Sequence, residues 1–181
     1  MSSGTKEFLS WVKAIVIAVV IAFLIREFLF TPSLVKGESM MPNLQDGNRL
    51  IVSKVSKLER YDEIIFHAPD ADEDYVKRII GLPGDTVEMK NDTLYINGKE
   101  VPETYLKESK AKLQEGEVFT PDFTLTEITG KKKVPADSLF VLGDNRPVSK
   151  DGRYFGFIKK DSVVGEVKAR IWPLNEIGNP E

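Results

Sequence analysis

Near its start the chain carries an apolar stretch from Phe8 to Phe30 that is long enough to cross a bilayer with some tilt. Its centre, Ala14 to Ile25, has no polar residue. Lys13 lies near one end, where it can snorkel to headgroups, and Arg26 and Glu27 lie near the other. Trp11 suits an interfacial position. Two other readings compete. A buried helix of a soluble protein would need protein on every side of this segment. A cleaved signal peptide would need a small-residue cleavage site, whereas Arg26-Glu27-Phe28-Leu29-Phe30 follows. An uncleaved anchor fits better. Lys6, Lys13 and the α-amino group weakly favour a cytoplasmic N-terminus, which leaves residues 31–181 as an extracytoplasmic domain.

That remainder, about 150 residues, suffices for one domain with its own core. The formal charge of −3 offers no basic field for nucleic acid. There is no cysteine, which removes thiol catalysis, disulfides and thiolate metal sites. The single histidine, His67, rules out any two-histidine metal site.

After Thr31 the pattern is mostly β. Runs suited to strands are Asn48–Val55, Glu63–His67, Tyr75–Ile80, Thr86–Lys90, Thr93–Ile96, Ser138–Leu142 and Val163–Trp172. Asn91-Asp92 and Asn97-Gly98 read as hairpin turns, and Leu82-Pro83-Gly84-Asp85 as another turn. In the last run Val163, Gly165, Val167, Ala169 and Ile171 should share a face. Residues 103–133 are charged and lack a clear period, as an insertion or surface excursion would. The expected fold is mainly β: a transmembrane helix of about residues 8–30, then an antiparallel β-barrel or sheet domain with a small inserted region.

Three places can carry chemistry. Ser39, in Gly37-Glu38-Ser39-Met40-Met41-Pro42, lies nine residues beyond the apolar stretch, at most about 30 Å of extended chain. A lone serine is usually a turn former, but a rigid exposed one with backbone N–H groups beside it suits a nucleophile. Its base is either His67, at a strand end, or a lysine made neutral by burial. Lys77, in Tyr75-Val76-Lys77-Arg78-Ile79-Ile80, sits among apolar residues on a strand. It would share a face with Tyr75 and Ile79, with Arg78 opposite; a solvated Lys-Arg pair is the plainer reading. The third place is Gly143–Arg153, a turn-rich loop whose two Asp and two Arg suit internal ion pairs.

Taken together, the anchor, Gly37–Pro42, Asp46–Leu50, Tyr75–Asp85 and Gly143–Arg153 resemble the type I signal peptidases of bacteria, in the small single-anchor form of Gram-positive organisms. The resemblance implies a Ser–Lys dyad with Ser39 as nucleophile and Lys77 as general base. It implies that Ser149 orients the lysine, that Asp151 and Arg153 form a supporting ion pair, and that Asp144 matches the acid opening the last motif. The oxyanion would be held by the backbone N–H groups of Ser39 and Gly37. The implied partners are the signal-peptide region of secreted preproteins and the bilayer, in a single-pass cell-membrane enzyme needing no metal or cofactor. Asn43 stands where a Thr is usual, Gly152 where a Ser is usual, and Pro147-Val148 replaces a more polar pair. A self-cleaving Ser–Lys peptidase of the SOS-repressor type and a non-catalytic anchored binding module are the competing readings.

Overall fold

The computed structural model describes residues 3–180. Helix α1 runs Ser3–Phe28 and ends two residues before the expected boundary, because Phe30 opens the first strand. From Glu7 to Phe28 it is long and apolar enough to cross a membrane, and its apolar span is not buried inside the protein. Such an all-round apolar surface needs an apolar surrounding.

Strands follow in the order β1 (Phe30–Leu34), β2 (Arg49–Ser53), β3 (Glu63–His67), β4 (Asp74–Gly81), β5 (Val87–Lys90), β6 (Thr93–Ile96) and β7 (Lys99–Glu100). Further along come β8 (Phe123–Thr124), β9 (Ser138–Leu142), β10 (Ile158–Lys159) and β11 (Val163–Trp172). They form two open antiparallel sheets, β1-β2-β11-β3-β4-β9-β10 and β7-β6-β5-β8. The expectation of an antiparallel sheet therefore holds, and no closed barrel forms among the described residues. Pro32 is tolerated in β1 because this is an edge strand, where a missing N–H costs no ladder bond. Both hairpin turns form as read: Asn91, Asp92, Asn97 and Gly98 all have positive φ, as type I′ turns require.

Two details depart from the periodic reading. β11 does not keep one apolar face. Register shifts after Val163, Val167 and Arg170 break the alternation, so Gly165, Glu166 and Val167 are buried in succession while Ile171 is exposed. The 103–133 region is also more ordered than a loop. It contains α2 (Lys107–Lys110), β8 and α3 (Leu125–Thr129), and Thr124 caps α3 reciprocally with Glu127. Leu106, Phe119, Phe123 and Leu125 anchor it in the protein, while Lys131–Lys133 stay exposed.

One core cluster joins the two sheets through Ile80, Met89, Leu94, Phe123 and Phe140. Another lies beneath the Ser39 segment and includes Val35, Met40, Leu44, Leu50 and Ile65. Burying Met40, immediately after Ser39, contributes about 2–3 kcal/mol and fixes where the serine emerges.

The strand register leaves a gap that matters for the site. β4 pairs with β3 over Asp74–Arg78, but β9 meets β4 only from Arg78 onward. One edge of Asp74–Lys77 is therefore unpaired.

Candidate active site

Ser39 sits in a tight turn, with Met41 N–H donating to Glu38 O and Leu44 N–H to Met40 O. The Gly143–Arg153 loop holds this turn from outside. Asn145 N–H donates to Ser39 O at 3.0 Å, and Asn145 Nδ2 donates to Glu38 O at 3.1 Å. The Ser39 hydroxyl is left half-buried.

Lys77 Nζ donates to Ser39 Oγ at 2.7 Å and to Val76 O at 3.0 Å. The lysine is 3% exposed, and Nζ lies 5.1 Å from the centre of the Tyr75 ring. Burial pulls its pKa from 10.5 down to about 8, against the opposing pull of the Asp151 and Asp144 carboxylates. That displacement is worth roughly 3 kcal/mol in favour of the neutral amine. His67, the other candidate base, is exposed and pairs with Asp74 at 2.6 Å. The Ser39 hydroxyl's partner is Lys77.

The loop residues fall close by in distinct roles. Asp151 accepts from Gly143 N–H at 3.0 Å and binds Arg153 through both oxygens, at 2.9 Å each. Asp144 is fully buried and accepts a bidentate pair from Arg78, Nε at 2.9 Å and Nη2 at 2.7 Å. Asn43 Nδ2 donates to the same carboxylate at 2.7 Å, which gives that departure from the family pattern a place in the network. Gly152 also has a local reason. A Cβ there would lie 2.7 Å from Val141 O and from the Phe140 ring, so no larger residue fits this packing.

Two expected contacts are not made. Ser149 Oγ is buried but has no hydrogen-bond partner among the described residues, and Lys77 Nζ is spent on Ser39 and Val76 instead. Gly143 packs so tightly here that a Cβ would lie 2.1 Å from Ser149 Oγ. The Gly37 N–H, read as an oxyanion donor, donates to Asp46 Oδ1 at 2.8 Å. In this structure that donor is therefore occupied by a carboxylate of its own chain.

Sequence reasoning missed Glu63 and Glu103. Glu63 is buried and accepts at 2.6 Å from the same Arg78 Nη2 that donates to Asp144. Burial pushes its carboxyl up to about 7, against the pull of Arg78. The only sequence signal was an acid opening the apolar run Ile64-Ile65-Phe66. A cleft of about 380 Å³ leads to the dyad, lined by Leu34, Val35, Gly37, Met40, Ile65, Tyr75, Val76, Lys77 and Val148. A larger cleft of about 530 Å³, beside Arg60, Glu63 and Tyr105, includes neither Ser39 nor Lys77 in its lining.

Residues 8–172 match the model of the family described as signal peptidase, peptidase S26. The chain belongs to that family. A signal peptidase I of Bacillus caldolyticus is 51% identical over 164 residues, covering 88% of this chain and 89% of the relative. A signal peptidase IB of Staphylococcus aureus is 44% identical over 187 residues, covering 97% of each. Among solved structures, a signal peptidase I from Enterococcus faecalis superimposes with a TM-score of 0.60 at 49% identity, covering 62% of this chain and 97% of that one.

Proposed function

We propose that Ser39 is the nucleophile and Lys77 the general base of a membrane-anchored serine peptidase that removes signal peptides from exported preproteins. The family match and the relatives support the activity. The observation that carries the residue roles is the 2.7 Å contact between Ser39 Oγ and a buried lysine whose pKa is brought to about 8. At pH 7 roughly a tenth of such lysines are neutral, which costs only about 1.4 kcal/mol of barrier.

Substrate enters as an extended segment between two open edges. One is the unpaired side of Asp74–Lys77 and the other is the chain leading from β1 toward Gly37, both lining the same cleft. A strand added there gains main-chain hydrogen bonds, and its small side chains meet Met40, Tyr75, Val76 and Ile65. Neutral Lys77 takes the Ser39 proton as Oγ attacks the scissile carbonyl. The Ser39 N–H accommodates the developing oxyanion; such a donor is worth roughly 3 kcal/mol in other enzymes. The lysine returns its proton to the leaving amine, which becomes the new N-terminus of the mature protein. Lys77 then deprotonates the water that hydrolyses the acyl-enzyme. Helix α1 anchors the enzyme in a single pass with its N-terminus cytoplasmic, so the catalytic domain, residues 31–181, works at the outer face.

The test is cleavage of one secretory preprotein by full-length protein in detergent. Wild type should release the signal peptide. Ser39→Ala and Lys77→Ala should each lose roughly 10³-fold or more in kcat. Cleavage by Lys77→Ala at the wild-type rate at neutral pH would remove the lysine from the reaction.

A further inference from the structure

The Gly143–Arg153 loop is held from behind by the inserted region. Arg146, inside this loop, is 1% exposed, and no part of its guanidinium reaches water usefully. Its Nη2 binds Glu103 Oε1 at 2.5 Å and Tyr105 OH at 3.1 Å. Its Nη1 donates to Thr120 Oγ1 at 3.2 Å. All three partners come from the region that begins at Glu103. The remaining donor, Nε, turns back into the loop and binds Gly143 O at 2.9 Å. Tyr105 reaches the second ion pair as well, because its ring lies 4.4 Å beneath the Arg78 guanidinium that grips Asp144.

We propose that Glu103 is a positioning residue for the hydrolysis, acting through Arg146 and Asn145 on the Ser39 backbone; this rests on Ser39 being the nucleophile. The connection is continuous. Glu103 fixes Arg146, and Arg146 fixes Gly143 O beside Asp144 and Asn145. Asn145 then binds Ser39 O with its backbone and Glu38 O with its side chain. Arg153 supports the same segment from the other side by donating to Arg146 O at 2.7 Å. A buried guanidinium without its carboxylate has to move or recruit water. Either response shifts the carbonyl it holds, and with it the loop that fixes the serine. Displacements well under the size of an atom are costly at a reacting centre.

The experiment uses full-length protein in detergent and one preprotein. It compares wild type, Glu103→Ala, Glu103→Gln, Asn145→Ala, and Glu103→Gln combined with Asn145→Ala. Glu103→Ala should lower kcat roughly 10- to 100-fold while KM stays within about threefold, because position is lost and substrate contacts are not. Glu103→Gln keeps the shape and an oxygen acceptor, so it should recover part of the loss. The combined variant should lose less than the product of the single losses, since the Asn145 side-chain contact to Glu38 O lies on the connection that Glu103 positions. Folded Glu103→Gln and Glu103→Ala proteins with kcat within about twofold of wild type, or single losses that simply multiply, would overturn the proposal. If Glu103→Ala does not fold, the Glu103→Gln and Asn145→Ala cycle decides alone. Ser39→Ala is carried alongside. Cleavage by that variant refutes the nucleophile itself, whereas an inactive Ser39→Ala beside fully active Glu103→Gln and Glu103→Ala proteins refutes only the role of Glu103.

Discussion

Lys77 and Arg78 are consecutive residues on one strand, both buried, and the protein treats them in opposite ways. On the cleft side Lys77 has a hydroxyl and a carbonyl as its direct partners, and burial drives it toward the neutral form. On the opposite side Arg78 meets Asp144, Glu63 and the Tyr61 carbonyl, which together hold its charge more firmly than in water. Alternation along a strand is what permits this, because one residue step exchanges one environment for the other. Burial alone therefore does not decide the charge state of a base. The nearest carboxylates decide it, and here they bond to the neighbour.

The largest test of that contrast is to empty the back side. Asp144→Ala removes the bidentate partner of Arg78 and leaves the guanidinium with Glu63. Urea unfolding should show a loss of about 3–5 kcal/mol, as expected for a buried charge deprived of its partner. A loss below about 1 kcal/mol would mean that Arg78 does not depend on Asp144.

A smaller effect concerns Glu63. Its folded pKa is raised from 4.5 to about 7, so the stability tied to its proton is present below pH 4.5 and lost as pH rises through 7. Glu63→Gln carries no such loss. Its stability relative to wild type should rise by about 1–3 kcal/mol between pH 5 and pH 8, read from unfolding midpoints at the two values. A relative stability that falls over that interval contradicts the assignment.

The smallest effect is on the cleft side. The acidic limb of kcat/KM should have an apparent pKa near 8, set by Lys77 in the free enzyme. Asp151 is the largest influence holding that value up, so Asp151→Asn should move the limb to lower pH by less than about one unit. A limb that moves upward reverses the sign of the coupling and breaks the contrast between the two sides.

Much of the framework was readable from residue order. The short continuous apolar runs in Glu63–His67 and Ser138–Leu142 and the Asn-Asp and Asn-Gly turns are local signals, and they placed the strands and hairpins. Lys77 and Arg78 fell on opposite faces by the alternation of a strand, which is equally local. Contacts between distant segments were not readable in that way. Ser39 and Lys77 are 38 positions apart, and family resemblance rather than spacing linked them. Glu103 and Arg146 are 43 apart, and the charged stretch around Glu103 looks like solvated surface until its partner is known. The bulges of β11 depend on two neighbouring strands at once, so a single alternating run could not announce them. Gly37 shows the converse. A backbone donor in the right place was legible, but the Asp46 side chain that occupies it was not.

A single residue, Leu29, separates the end of α1 from the start of β1. Lys54 ties that junction down, its Nζ donating to Glu27 O and its N–H to Leu29 O, each at 2.9 Å. With no slack between helix and strand, the five residues of β1 act as a ruler of about 16 Å. Adding or removing residues there would raise or lower the scissors relative to the end of the helix. The point at which an emerging chain is cut would then be gauged by height as well as by the side chains at the cut.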